Sequence, residues 1–191
     1  MRVFIAVLVL IFSLQSLSKA EGISEFEIEG MSIGDSLLDF YTKDEIEKNT
    51  MDYYSNKTNF PFVAVEIENH KSFKQYYGVQ FHIKKNDKNY KIYTISGYDY
   101  CINDINVCYN TTEKIEKDFL NIFKNLEIER VQFKHDADKT GKSTVKRTIF
   151  YTKNFDEIQI NVFDWDNNMP HSSNYDVSLK TIEYLSALSA L

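Results

Sequence analysis

The alternation of apolar and polar residues along the middle of this chain limits the folds open to it. In residues 79–84, Val79, Phe81 and Ile83 would face one side of a strand, while His82 would face water on the other. The same alternation predicts strands at residues 62–67, 90–98, 128–135, 144–152 and 158–165. Strands with one buried and one wet face are typical of antiparallel sheets. The sequence therefore predicts an α+β fold, with a mostly antiparallel sheet of about five to six strands and helices packed on one face.

Helix starts are predicted by capping patterns before apolar runs. Ser32 with Asp35 fits Ser-x-x-Asp, so Ser32 is predicted to cap a helix that contains Ser36. Thr42 with Glu45 predicts a second helical turn up to about residue 49. Asn110 with Glu113 predicts the start of the main helix. The helical spacing of apolar residues in residues 176–190 predicts an amphipathic helix at the end of the chain. A short helical segment is also expected at residues 72–77.

The first twenty residues have the pattern of a secretory signal peptide. Arg2 precedes an apolar stretch, and Ser18-Lys19-Ala20 supplies small residues before a cleavage site. The apolar run is short for a membrane span, and a retained anchor is the alternative interpretation. We therefore expect residues 1–20 to be removed and residues 21–191 to form a single domain. The protein would be periplasmic or secreted, without stable membrane insertion after cleavage.

Charge narrows the range of partners. The formal net charge is −6 and becomes −8 without Arg2 and Lys19. An acidic domain is a poor partner for nucleic acid or for an anionic membrane surface. No cofactor-binding motif is present, because Thr140-Gly141-Lys142-Ser143 resembles a phosphate loop but is followed by a strand pattern and predicts a hairpin turn.

The two cysteines, Cys101 and Cys108, lie seven positions apart around Asn103-Asp104. An even number of cysteines in an exported chain indicates a disulfide, and the Asn-Asp pair can turn the chain between them. The alternative is two free thiols. The spacing does not fit a zinc site.

One short motif raises the question of catalysis. Gly34-Asp35-Ser36-Leu37 resembles the first block of the GDSL, or SGNH, serine hydrolases. That resemblance implies a nucleophile at Ser36 and a base at His171, within hydrogen-bond reach of each other. The sequence departs from the family elsewhere, since Asn168 stands where the family has Asp before the histidine, and no Gly-x-Asn-Asp block is present. The first hypothesis is therefore a protein with no catalytic residues, and a GDSL-type esterase is the alternative hypothesis.

A second motif concerns metals. Asp164, Asp166 and Asn168 resemble the first half of a calcium loop. Met169 and Tyr175 occupy the positions of its glycine and its bidentate glutamate, which excludes an EF-hand. The three residues are weak candidates for a looser site, and no metal is expected.

Several stretches together resemble a family of uncharacterised exported proteins from AT-rich marine alphaproteobacteria. They are residues 26–37, 90–97, 134–143 and 163–165. A remote fold likeness links Gly30-Met31 and the hairpins after helices to small outer-membrane assembly lipoproteins and β-lactamase-inhibitor-like folds, although this chain lacks a lipid-anchoring cysteine. The hairpins opened by Val79-Gln80-Phe81 and Val131-Gln132-Phe133 are also similar to each other, through coincidence, shared topology or a duplication. Neither resemblance implies an activity, and the abundance of Tyr and Phe favours an interaction module whose partner is a protein or an envelope component.

Overall fold

A computed structural model describes residues 22–55, 59–123 and 126–191, so the predicted signal peptide lies outside the described residues. The helices in the described part are α1 (Lys43–Lys48), α2 (Ile105–Ile122) and α3 (Ile182–Ser189), with 3₁₀ turns at Ile23–Glu25 and Leu37–Asp39. The strands are β1 (Glu27–Ile28), β2 (Met31–Ser32), β3 (Thr50–Met51), β4 (Phe62–Glu68), β5 (Gly78–Lys84), β6 (Thr94–Tyr100), β7 (Glu127–Lys134), β8 (Thr144–Tyr151), β9 (Glu157–Asp164) and β10 (Asn174–Lys180). The α+β class is confirmed. No described helix combines the length and the hydropathy needed to cross a membrane.

The main sheet has eight strands in the order β3-β4-β5-β6-β10-β9-β8-β7, and every pairing is antiparallel. The prediction of five to six strands was too low. A helix followed by four consecutive strands occurs twice, first as α1 with β3 to β6 and then as α2 with β7 to β10. The strands of the second half follow one another across the sheet in the reverse direction. The last strand of the first half, β6, therefore pairs with the last strand of the second half, β10.

The strand β10 replaces half of a predicted helix. Residues 176–190 were predicted as one helix because Leu179, Ile182 and Leu185 recur at helical spacing. The structure instead forms a strand up to Lys180, and Thr181 caps the short helix α3 through Tyr184 N. The prediction failed because Val177 and Leu179 also alternate, and pairing with β6 and β9 on both sides favours the strand.

One face of the sheet carries the main core under α1, α2 and the β1–β2 ribbon. A row of apolar side chains runs in register across seven strands on this face: Val65, Phe81, Ile95, Leu179, Ile158, Phe150 and Ile128. From α2, Ile115, Phe119 and Phe123 pack on it, and the Phe119 and Phe150 rings meet edge to face at 5.7 Å. This packing is the dominant source of stability, because each such side chain contributes about 1.5–3 kcal/mol on burial.

The helix α3 packs on the opposite face, so the prediction of helices on one face alone was wrong. Its Tyr184 lies among Phe60, Phe62 and His82. The His82 ring, predicted to face water, is buried between Thr94 Oγ1 at 2.7 Å and the Tyr184 hydroxyl at 3.2 Å. Alternation placed His82 on the correct face of its strand but could not show that a helix covers it.

Two other helix predictions differ from the structure. The helix α2 begins at Ile105, five residues before Asn110, because the Asp104 carboxylate accepts from Asn106 N and caps the helix there. Residues 72–77 form turns instead of a helix. The Glu29 carboxylate accepts the backbone N–H groups of Lys74, Gln75 and Tyr76, and thereby satisfies donors that a helix would have used.

The disulfide between Cys101 and Cys108 is present in the structure. Cys101 follows the last residue of β6, and Cys108 lies in the first turns of α2, with their Cα atoms 5.7 Å apart. Both cysteines are buried beside Val162 of β9. The bridge therefore ties the end of the first half of the chain to the start of the second.

Reduction of this disulfide should lower the free energy of unfolding by about 2–3 kcal/mol, the lower end of the usual range, because the closed loop is short. Urea denaturation of the oxidised protein and of Cys101→Ala/Cys108→Ala measures the difference. Thiol labelling of native, unreduced protein should find no reactive group; two labelled cysteines would contradict the prediction.

Stability should fall as the pH drops below neutrality because of His82. Burial, with a smaller effect of Lys180, lowers the pKa of His82 to about 3. The unfolded chain, with a histidine pKa near 6.5, binds this proton first, so the contribution is complete above about pH 6.5 and is lost as the pH falls toward 3. Between pH 7.5 and pH 5 we expect a loss of about 2 kcal/mol. Urea unfolding across this range should give a flatter dependence for His82→Gln, whereas His171→Gln, which replaces an exposed ring, should keep the wild-type slope.

Candidate functional site

The face of the sheet opposite α1 and α2, called the open face below, combines polar and aromatic side chains. At one end α3 lies over Phe62 and His82, and at the other end the β9–β10 loop carries Trp165 and His171. Between the two ends lie Arg147 and Asp176, which are half-buried, and Phe133, which is 41% exposed. This part of the face is therefore accessible to a ligand or partner.

A row of side chains crosses the middle of the open face in register. It consists of Tyr98, Asp176, Asn161, Arg147 and Val131, one from each of β6, β10, β9, β8 and β7. Asn161 donates to Asp176 Oδ1 at 2.6 Å, and its own Oδ1 accepts from Arg147 Nε at 2.6 Å. The three central strands β10, β9 and β8 thus each contribute one polar group to a continuous chain of hydrogen bonds.

This chain of hydrogen bonds extends beneath the surface. The Ser178 hydroxyl donates to Asp176 Oδ1 at 2.9 Å, and Ser96 donates to Ser178 at 3.0 Å. Burial raises the pKa of Asp176 and lowers that of Lys180, whose ammonium group donates to Gln159. These hydrogen bonds hold Asn161, Asp176, Ser178 and Ser96 in one arrangement, and we call these four residues the rigid floor of the open face.

Aromatic groups border the floor on the β7–β8 side. The Arg147 guanidinium lies over the Phe133 ring, 5.2 Å from its centroid. Next to them, Trp165 lies between the rings of His135 at 4.2 Å and His171 at 4.5 Å. Burial lowers the pKa of His135, which favours its neutral form in this stack. Arginine and large aromatic residues are the types that dominate binding energy in protein interfaces.

A second group of tyrosines borders the floor on the β4–β5 side. The Tyr98 ring crosses over Gly78, where an added Cβ would lie 2.4 Å from it, and its hydroxyl lies within 3.0 Å of Glu66 and Glu68. Glu66 also accepts from Tyr53. Glycine at position 78 is therefore required for Tyr98 to reach β4. Burial raises the pKa of Tyr98, so this phenol stays protonated and donates.

Ser36 is a helix cap in the structure. Its Oγ accepts from Leu38 N at 3.2 Å, caps the 3₁₀ turn Leu37–Asp39, and donates to the Asn89 carbonyl at 2.6 Å. The prediction that Ser32 caps a helix here was wrong. Ser32 belongs to β2 and donates its hydroxyl to the Phe26 carbonyl, because Gly34 takes a positive φ and turns the chain before any helix begins.

The structure does not bring Ser36 and His171 together. Ser36 lies beside Lys91, before the start of β6, whereas His171 precedes β10, whose first residue pairs with the end of β6. The length of β6, about 20 Å at 3.3 Å per residue, separates the two ends of the sheet. Ser36 does line an open cleft of about 560 Å³ with Lys84, Lys91 and Tyr93, and the described residues that line this cleft include no histidine.

The calcium-loop candidates also have other partners. Asp166 Oδ1 accepts from the backbone and side-chain nitrogens of Asn168, which closes a local turn. Asp164 is the last residue of β9. Across the described ranges, no group of three or more His, Cys, Asp or Glu residues is arranged to hold a metal.

The residues around Lys142 form the predicted hairpin turn. Buried Asp138 accepts from Thr140, Lys142 and Ser143 within this loop. These hydrogen bonds hold the pKa of Asp138 well below its usual range.

No protein-family model, no curated protein and no solved structure matches this chain. The fold and the open face therefore supply the argument for function. Arg147, Asn161 and Asp176 were not among the residues proposed from the sequence. In the sequence Asp176-Val177-Ser178-Leu179, polar and apolar residues alternate, and this alternation was the signal that could have indicated that Asp176 lies on the wet face of a strand.

Ser36→Ala should lower the free energy of unfolding by about 1 kcal/mol, because Leu38 N loses its acceptor. Ser36→Thr keeps the hydroxyl and is the matched control, with a smaller loss. Thermal melts measure both. A short-chain ester assay on the same proteins tests the esterase hypothesis: we expect no hydrolysis by the wild type, and hydrolysis that Ser36→Ala abolishes would contradict this expectation.

Proposed function

We propose that this protein is an exported, non-enzymatic binding module that recognises a partner protein or envelope component through the open face of its sheet. The observation that carries the proposal is the Phe133–Arg147 pair, an exposed aromatic ring under a guanidinium on a rigid polar floor. Rigid side chains lose little conformational entropy on binding, which favours affinity.

Several features support export as part of the proposal. The first twenty residues have a signal-peptide pattern. The Cys101–Cys108 disulfide suits an oxidising compartment. Binding, the other part of the proposal, is supported by the open face itself, because its two aromatic borders provide the mixed apolar and polar surface that protein interfaces use.

A non-enzymatic role fits how the polar groups are used. The Asp176 Oδ1 atom accepts from Asn161 and Ser178, and the Lys180 ammonium donates to Gln159. The Ser36 hydroxyl is engaged by the backbone of its own cap and by Asn89. These contacts stabilise the fold, and they leave the aromatic and arginine groups of the open face available for a partner.

Site-specific photo-cross-linking tests the proposal. p-Benzoylphenylalanine placed at position 133, in cells that express the protein, should give an adduct of one defined mass. Phe155 is 71% exposed in the turn after the end of β8, whereas Phe133 pairs with Val145 near the start of β8, so the same replacement at Phe155 is the matched control and should give none.

Added wild-type protein should compete with adduct formation at position 133, and Phe133→Ala protein should compete at least tenfold less well. Thermal melts should show that Phe133→Ala is folded. Equal adducts from positions 133 and 155, or none from position 133, would contradict the proposed function.

A further inference from the structure

We propose that Arg147 is the receptor for an aspartate or glutamate carboxylate on the partner protein. The inference rests on the proposed function and adds the chemistry of the group that the open face recognises. It follows from the contacts that Arg147 makes and from those that it lacks.

Arg147 uses one of its five N–H donors within the described residues. Its Nε donates to Asn161 Oδ1, and its guanidinium lies over Phe133. No buried side-chain nitrogen or oxygen in the described ranges lacks a hydrogen-bond partner, so the two terminal nitrogens of this half-buried residue are open to solvent. The four N–H groups on these nitrogens are therefore available to a ligand.

Arg130 shows how an arginine of the same sheet is occupied when the chain supplies a carboxylate. Its Nε and Nη2 lie 2.8 Å and 2.6 Å from Glu116 Oε1 on the face covered by α2. Arg147 has no such ion pair among the described residues, although Arg147 is half-buried and Arg130 is exposed. A half-buried guanidinium without a carboxylate partner keeps donors in the geometry that a partner's acid can accept.

The acids nearest to Arg147 along the strands are engaged elsewhere. Asp176 Oδ1 accepts from Asn161 and Ser178. On β7, the Glu129 carboxylate accepts from the Tyr151 hydroxyl at 2.6 Å. Neither forms an ion pair with Arg147. Burial is the largest influence on the pKa of Asp176, and the positive charge of Arg147 is the last and smallest. A carboxylate that accepts from both terminal nitrogens of Arg147 would therefore come from outside the described part of the chain.

The surroundings favour a protein side chain over a free anion. Val131 and Phe133 lie beside Arg147 on β7, and a partner that covers them removes water from the ion pair and strengthens it. A guanidinium binds a planar carboxylate through two parallel hydrogen bonds. A carboxylate at Asp176, two strands away in the same row of side chains, would repel a doubly charged phosphate more strongly than a singly charged carboxylate.

The low arginine content of the chain gives a direct experiment. Arginine occurs at three positions, Arg2, Arg130 and Arg147, so ¹⁵N-arginine labelling gives at most three Nε–Hε signals. We would titrate the full chain with an acetylated, amidated tetraglutamate peptide and with the matching tetraglutamine peptide. The Arg147 signal should shift saturably with tetraglutamate alone, and the Arg130 signal should not move.

Variants and further ligands make the result decisive. Arg147→Lys keeps the charge but loses the paired donors, so tetraglutamate affinity, followed through the Val131 amide, should fall at least tenfold; Arg130→Lys should bind like the wild type. Inorganic phosphate, or a peptide whose only carboxylate is its C-terminus, should shift the Arg147 signal less. No shift, an equal shift with tetraglutamine, or stronger binding of either alternative anion would overturn the proposal.

The cross-linking experiment separates this proposal from the proposed function. The position-133 adduct should form at least tenfold less efficiently in Arg147→Lys protein. An undiminished adduct in that variant would overturn the role of Arg147 and leave the binding module intact. The absence of any position-133 adduct from otherwise wild-type protein would overturn the proposed function, and the peptide titration would then still decide whether Arg147 binds carboxylates.

Discussion

The pairing of β6 with β10 is the constraint on which the rest of the structure depends. The two strands pair over seven residues, from Thr94 with Lys180 to Tyr100 with Asn174. Each ends one half of the chain, so without this pairing each half would expose a central strand edge and an apolar face. With it, one apolar row is continuous across the sheet on the helix side. On the other side the same register aligns Tyr98, Asp176 and Asn161 into one polar row.

Most of the strands could be predicted from local sequence because alternation is a property of one segment at a time. The predicted β4, β5, β7, β8 and β9 agree with the structure to within about two residues, as does the helix capped by Thr42. β10 could not be predicted in this way. Its residues fit both a helical and an alternating pattern, and the strand is favoured by neighbours far away in sequence, at positions 94–100 and 157–163. The two hairpins that look similar in sequence do not occupy equivalent places in the two halves of the fold. The Val79 hairpin is formed by β5 and β6, the last two strands of the first half, whereas the Val131 hairpin is formed by β7 and β8, the first two strands of the second half.

The candidate site was beyond sequence reasoning for a related reason. Arg147, Asn161 and Asp176 come from three strands, and only the register of those strands makes them neighbours. Short motifs, by contrast, suggested a catalytic site whose residues the structure does not bring together. Ser36 lies in four residues that resemble a hydrolase block, yet its hydroxyl caps a turn, since the same small polar side chain suits both roles. The disulfide was predictable because the chain has two cysteines, and they lie seven positions apart in one segment that contains a turn-forming Asn-Asp pair.

The outermost long strand, β7, has a further consequence for how this protein meets other molecules. Four of its eight residues are charged: Glu127, Glu129, Arg130 and Lys134. Charged side chains along an unpaired strand discourage another chain from adding to the sheet by backbone hydrogen bonds. Crowded copies are thus kept from pairing edge to edge into aggregates. A partner gains most by approaching perpendicular to the sheet, so complexes should be side-chain mediated and reversible, and should not extend the sheet by a ninth strand.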